Sequence, residues 1–363
     1  MNPMTARHTV AHFTIVCLVA LLFSPLAKAD PSTNTEFNAS FIKLCDLAAV
    51  KVRDENNKVP FFVDSYGVRA LCVAYDMTGN TNYLDACRDW SKRMVAYQER
   101  MTPHGAYYMH YNRKPDETNG DWYAADSSSI GMAILATAVR CDGKERKHYL
   151  ISAKKFADLV IKNYVKPSGG VSDGMWSKSS DAWWCSSGIF GSFLFNLYAN
   201  TGDKQYLKTA LGVTDWLNNW DLTKDQPFPL SQQGPAMIMY VMENYSAGWP
   251  YIAQDASQKN AAQEKVEWCF KWILEQQQKP LTERQWQPTV GWGMKFGGLP
   301  FHQYIFSQYL PEGGQLTAEG DAELQRLEPI VFADSKATQL TMFMLMSYAE
   351  RLDPGAVYKS IKH

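Results

Sequence analysis

Four phrases in this chain set carboxylates and hydroxyls directly before apolar stretches. They are Phe62-Val63-Asp64-Ser65-Tyr66-Gly67, Tyr123-Ala124-Ala125-Asp126-Ser127-Ser128-Ser129-Ile130-Gly131, Ser179-Ser180-Asp181-Ala182-Trp183-Trp184-Cys185-Ser186-Ser187-Gly188 and Val331-Phe332-Ala333-Asp334-Ser335. An Asp or Ser in such a place is the ordinary N-cap of a helix, its side-chain oxygen accepting from free backbone N–H groups. Gathered around one cavity, the same carboxylates do something else. Burial and like charge both raise a carboxyl pKa, so one can stay protonated as an acid beside a charged neighbour. Asp181 is the sharpest acid candidate, because Trp176, Trp183 and Trp184 flank it and would exclude water. Asp126 is the second. Asp173, just before Gly174, reads as a turn residue, and Asp116, Glu117 and Asp121 as solvated loop charges.

A second cluster offers different chemistry. His104 and His110 lie among Tyr107, Tyr108 and Tyr111, and His302 and Tyr304 recur at a later helix start. A His and Tyr pair can abstract and return a proton, as a polysaccharide lyase needs. Arg113, Lys178 and Lys295 could neutralise a substrate carboxylate in that case. The chain also holds 12 Trp and 19 Tyr, and many fall outside the apolar stripes, Trp122, Trp249, Trp286 and Trp292 among them. Indole and phenol rings stack on flat apolar faces while their polar edges hydrogen-bond, which suits sugar rings. Candidate substrate contacts are therefore Asp64, Tyr66, His110, Trp122, Ser129, Trp176, Trp183, Trp184, Trp292 and His302.

The elements that would position these residues repeat. Tyr75-Asp76-Met77-Thr78-Gly79-Asn80 leads to Tyr83-Leu84, Arg140-Cys141-Asp142-Gly143 to Tyr149-Leu150, and Tyr198-Ala199-Asn200-Thr201-Gly202-Asp203 to Tyr206-Leu207. Recurrence at roughly sixty residues marks a repeat architecture, and helical spacing on both sides of each turn makes the unit a helical hairpin. The periodicity predicts twelve helices, over 38–52, 64–77, 81–100, 126–141, 144–164, 185–200, 204–220, 234–245, 257–278, 299–309, 317–327 and 335–352. Residues 130–139 and 190–199 are apolar almost all round, whereas 153–164 and 209–220 carry one charged face. An all-apolar helix is buried on every side and a striped one has a wet face. Alternation of the two predicts an all-α (α/α)6 toroid, an inner ring wrapped by an outer one. The long connections 101–125, 165–184, 221–233 and 279–298 all precede inner helices, so they gather at the inner-helix N-termini. That end is the expected active face.

Bulk properties narrow the function classes. Arg7, the apolar run 13–23 and Ala27-Lys28-Ala29 have the form of a signal peptide over residues 1–29, with residues 30–363 as one domain. The run is too short for a permanent membrane span, so the expectation is a periplasmic or secreted protein, free of the membrane after cleavage. Formal net charge is −1 with dispersed basic residues, which argues against a nucleic-acid partner. Cys45, Cys72, Cys87, Cys141, Cys185 and Cys269 permit disulfides in an exported chain, yet a core of this size does not need them, and those within helical patterns read as buried small hydrophobes. Neither Cys-x-x-Cys nor paired His spacing offers a metal site, and the chemistry considered needs no cofactor.

Asp181-Ala182-Trp183-Trp184 followed by Phe193-Leu194-Phe195-Asn196-Leu197-Tyr198-Ala199-Asn200-Thr201-Gly202-Asp203, together with Asp126-Ser127-Ser128-Ser129-Ile130-Gly131-Met132, resembles the six-hairpin glycosidase group. The nearest likeness is to unsaturated glucuronyl and unsaturated rhamnogalacturonyl hydrolases. Ser129 departs from it, standing where that family has a second important Asp. The resemblance implies a glycoside hydrolase for uronic-acid-containing oligosaccharides, with Asp181 protonating a vinyl-ether carbon and helping activate water, and Asp126 orienting the sugar or sharing the proton. The alternatives are a uronate polysaccharide lyase using the His and Tyr residues, and a non-catalytic periplasmic glycan-binding protein of the same fold.

Overall fold

The computed structural model describes residues 31–56, 60–109, 122–174, 182–221 and 235–278, and within the last stretch 324–325, 327–329, 331, 333 and 339–352. Among them stand ten long helices: α1 (Pro31–Arg53), α2 (Phe61–Thr78), α3 (Thr81–Gln98), α4 (Ala124–Ala138), α5 (Gly143–Asn163), α6 (Trp184–Thr201), α7 (Lys204–Asn219), α8 (Pro235–Ile252), α9 (Ala256–Gln278) and α10 (Gln339–Leu352). No strand occurs among the described residues; extended pairing is confined to isolated bridges Tyr123–Gly174 and Val165–Val171.

The packing order is that of a toroid. The alternate helices α2, α4, α6 and α8 pack each on the next, and α10 packs on α2, closing the other side. Around them lie α1, α3, α5, α7 and α9, with α1 seated on α2, α3 and α10. The inner helices α4 and α6 are buried from their first turns to their last, whereas α5 and α7 bury one face each. This is the (α/α)6 architecture. The predicted helix over 299–309 and the connection 279–298 lie outside the described residues, and of 317–327 the described part is helical.

The hairpin turns form as their sequences dictate, at two of the three. Gly79 and Gly202 both close their helices at φ +69°, a left-handed conformation that favours glycine, and their N–H groups reach the carbonyls of Tyr75 and Tyr198. One residue on, Asn80 and Asp203 cap the outer helices, accepting from the N–H groups of Asn82 and Gln205. The third turn differs: Asp142 precedes α5 without a side-chain cap, and Gly143 carries φ +54°. Side-chain capping thus belongs to the outer helices. The inner ones begin earlier than predicted, at Phe61, Ala124 and Trp184, after Pro60, Tyr123 and Trp183, none of which caps with a side chain. Asp64 and Asp126 accordingly lie inside first turns and are not N-caps. Likewise α1 runs from residue 31, not 38.

Inner helices approach closely where glycine leaves room. A Cβ on Gly188 would stand 2.5 Å from the carbonyl oxygen of Tyr240 and 2.7 Å from Cα of Val241, both backbone atoms of α8. Gly188→Ala must therefore push α6 from α8. The expected loss is about 1–3 kcal/mol of stability, read as a lowered denaturant midpoint with unchanged slope.

Candidate active site

The connection between α5 and α6 is stitched to the first turns of two inner helices, α4 before it and α6 after it. Ala124 N donates to the carbonyl of Asp173 at 3.0 Å, and Tyr123 pairs with Gly174. On the other side Trp183 N donates to the carbonyl of Val171 at 2.7 Å, and Val171 N donates to Ser187 Oγ at 2.8 Å. Asp173 is thereby fixed between the first turns of α4 and α6. Ser186 Oγ donates to its Oδ1 at 3.0 Å. Only 6% of the residue is exposed, and Asp126 is as closed off at 7%.

Two buried carboxyls in one field cannot both ionise freely. Burial pushes the Asp173 carboxyl up to about 8, the Ser186 hydroxyl opposes this, and the charge of Asp126 adds to it. The same charge, after burial, helps hold the Cys185 thiol well above its usual range. At neutral pH the arrangement favours a protonated Asp173 beside the buried Asp126.

Beneath this pair lies a polar interior. Tyr66 Oη and Ser129 Oγ stand 3.5 Å apart. Burial, then the charge of Glu243, pushes the Tyr66 phenol well up. Arg69 Nη1 donates to both oxygens of Glu243, at 3.3 and 3.4 Å, and its guanidinium lies 5.7 Å from the Tyr66 ring centre. In the ring α4 and α6 stand between α2 and α8, so this ion pair crosses the interior. Burial raises the Glu243 carboxyl and the Arg69 guanidinium opposes that.

The structure thus brings Asp126, Tyr66 and Ser129 together near Asp173. Asp64 is also buried, and its carboxylate takes Lys51 Nζ of α1 at 2.6 Å, committing it to the contact between outer and inner layers. Trp122 is buried edge-to-face on Tyr164 at 5.0 Å with its ring over Gly174, and Trp184 is buried completely. Those two indoles brace the wall of the site and present no open face. Trp183 keeps 7% exposure at the start of α6. Asp181, His110, Trp176, Trp292 and His302 lie outside the described residues, as do the cationic candidates Arg113, Lys178 and Lys295.

Sequence reasoning missed Asp173, which has the form of a plain turn residue; only the pairing with Ala124 moves it into the site. Arg69 and Glu243 left a signal, a charge midway along an otherwise apolar inner helix. Among the described residues no group of three His, Cys, Asp or Glu could hold a metal ion. A surface groove of about 550 Å³, lined by Gln98, Glu99, His104, Gly105, Lys155 and Asp158, lies between α3 and α5 and does not include the carboxyl pair.

Fold and site together define an (α/α)6 toroid with a buried acid pair at the inner-helix N-termini. A solved structure titled glycoside hydrolase family 76 (mannosidase) Bt3792, from Bacteroides thetaiotaomicron VPI-5482, superposes with a TM-score of 0.53 at 12% identity, over 89% of this chain and 98% of that one. The resemblance to six-hairpin glycosidases holds at the level of the fold. The sequence matches no protein-family model and none of the curated proteins.

Two outcomes follow. Removing one partner of the buried pair strands the other, so Arg69→Met should cost about 3–5 kcal/mol, and adding Glu243→Leu should restore most of it; chemical denaturation of the single and double variants decides. Asp173 has its folded pKa raised to about 8, against about 3.9 for an unfolded Asp. Its contribution is therefore fully present below pH 4 and lost as pH rises towards 8. Asp173→Asn should remove that slope, leaving the variant more stable than wild type at pH 8 by on the order of a few kcal/mol. Equal pH–stability curves for the two proteins would place the raised carboxyl elsewhere.

Proposed function

We propose that the chain is an exported glycoside hydrolase that cleaves uronic-acid-containing oligosaccharides at the inner-helix N-termini. The observation carrying this reading is Asp173, buried between the first turns of α4 and α6 near the buried Asp126, where burial pushes its carboxyl up to about 8. A general acid works best when its pKa lies near the working pH, and a charged partner beside it can activate water or steady an oxocarbenium-like centre. In this reading Asp173 delivers a proton to the glycosidic oxygen, or to the vinyl-ether carbon of an unsaturated uronyl group. Asp126 takes the proton of the attacking water, and Ser186 holds the Asp173 carboxyl in line. The like-folded mannosidase supports sugar chemistry on this scaffold, and the Asp181-Ala182-Trp183-Trp184 and Asp126-Ser127 stretches support the uronyl class.

Asp181, eight residues beyond Asp173 (181 − 173 = 8) in the same connection, is the competing acid. Asp126→Asn and Asp173→Asn should each fold, still bind sugar, and lose turnover by on the order of a hundredfold or more. A comparable loss in Asp181→Asn with near-normal turnover in Asp173→Asn would transfer the acid role to Asp181. Substrate class is read in the same assays. An unsaturated uronyl disaccharide should lose its ultraviolet absorbance, and mannose oligosaccharides should release no reducing ends. The opposite pattern refutes the uronyl class and keeps the hydrolase; absorbance gained from a saturated uronate polymer means a lyase; binding without turnover on either panel means a glycan-binding protein.

A further inference from the structure

Six cysteines among the described residues are buried and free. Cys72 and Cys87 stand apart from the rest. Their sulfurs lie 3.7 Å from one another, hydrogen-bonded, and Cys87 Sγ also donates to the carbonyl of Val68 at 3.3 Å. Cys72 belongs to inner helix α2 and Cys87 to outer helix α3. They sit seven and eight residues from the turn glycine (79 − 72 = 7, 87 − 79 = 8), directly across the first hairpin. A disulfide needs sulfurs about 2.05 Å apart, and these two already stand side by side between adjacent helices of one hairpin.

The surroundings suit thiolate chemistry. The charge of Arg140, just beyond the next hairpin's inner helix and bound to Asp76 and to the carbonyl of Ala136, favours both thiolates. Hydrogen bonding with Cys87, then the Arg140 charge and Thr137, outweigh burial and Asp76, leaving the Cys72 thiol below its usual range. Burial and the Cys72 partner keep Cys87 well above it, and Cys45 adds to that.

We propose that Cys72 and Cys87 form a latent disulfide that locks the first hairpin when the chain folds in contact with a disulfide oxidant. The thiolate of one of the two cysteines attacks one sulfur of the oxidant, forming a mixed disulfide and expelling one thiolate. The other, deprotonated in turn, attacks the protein sulfur of that mixed disulfide and expels the second. Two protein S–H bonds are lost, one S–S bond forms, and the oxidant leaves as two thiols carrying both electrons and both protons. Since both sulfurs are fully buried, the exchange occurs while α3 is undocked, during folding or local opening. The inference stands apart from the carbohydrate reading.

The full chain, unfolded in denaturant, is refolded either with reduced and oxidised glutathione or with dithiothreitol. Peptide mapping without reduction should find Cys72 joined to Cys87, with a mass lower by two hydrogen atoms. The oxidised protein should melt several degrees above the reduced one, because the bridge restricts the unfolded chain. That difference should vanish in Cys72→Ala and in Cys87→Ala and persist in Cys45→Ala. The native protein given the same oxidant should react far more slowly than the refolding chain. Oxidative refolding that leaves both thiols titratable, or that joins either cysteine to a different one, overturns the proposal. The wild-type map decides this even if a variant fails to fold.

Discussion

The centre of the ring is held by a salt bridge that only a closed ring can tolerate. Arg69 lies eight residues into α2 (69 − 61 = 8) and Glu243 eight residues into α8 (243 − 235 = 8). At about 1.5 Å per residue both sit roughly 12 Å below the helix starts. Each is buried in a wall of apolar side chains, where an isolated charge would cost several kcal/mol. The two must therefore meet, and meeting requires α4 and α6 to fill the arc between α2 and α8. Such a pair contributes little net stability, since desolvation offsets attraction. Its consequence is register, because neither helix can slide by a turn without stranding a charge.

The same registration sets the chemistry above it. Asp126 is two residues into α4 (126 − 124 = 2), so the carboxyl pair lies roughly 9 Å nearer the ring's mouth than the ion pair. Between the two levels sit Tyr66 and Ser129. Polar groups here are stacked along the axis in a sheath of helices, and water has little access to weaken their fields. That is why burial heads the causes of the Asp173, Tyr66 and Glu243 shifts. Sidedness comes from topology: each long connection enters an inner helix, and each Gly turn leaves one. Long connections and tight Gly turns fall at opposite ends.

The outer helices serve a different need. Their caps at Asn80 and Asp203, and ion pairs such as Arg53 with Asp89 and Arg88 with Glu145, lie at or near the surface. They contribute modestly one by one. Their larger contribution is the apolar stripe each lays on the inner ring, exemplified by Phe156 of α5 against Phe190 and Phe193 of α6. Lys51 of α1 holding Asp64 of α2 is the exception, an outer-layer charge carried into the wall of the site.

Much of this was legible in the residues themselves. Helical spacing, the recurring Gly turns and the alternation of all-apolar with striped helices are local properties, and they determined the hairpins, their nesting and the end at which the long connections gather. Asp126 was readable as a buried carboxylate because it opens an apolar helix. Its role as a cap was misread, since the helix starts two residues earlier, where the backbone already pairs with the connection before α6. Asp173 could not be found from its neighbours: Ser172-Asp173-Gly174 is a turn in any protein, and its raised carboxyl arises from burial and the charge of Asp126, both imposed by hydrogen bonds that tie it to separate helices. Arg69 and Glu243 could each be seen as odd charges in apolar helices, but nothing local says they face one another. Local periodicity determines which face of a helix is apolar; which charges share that buried space depends on ring closure, and the tertiary structure alone decided it.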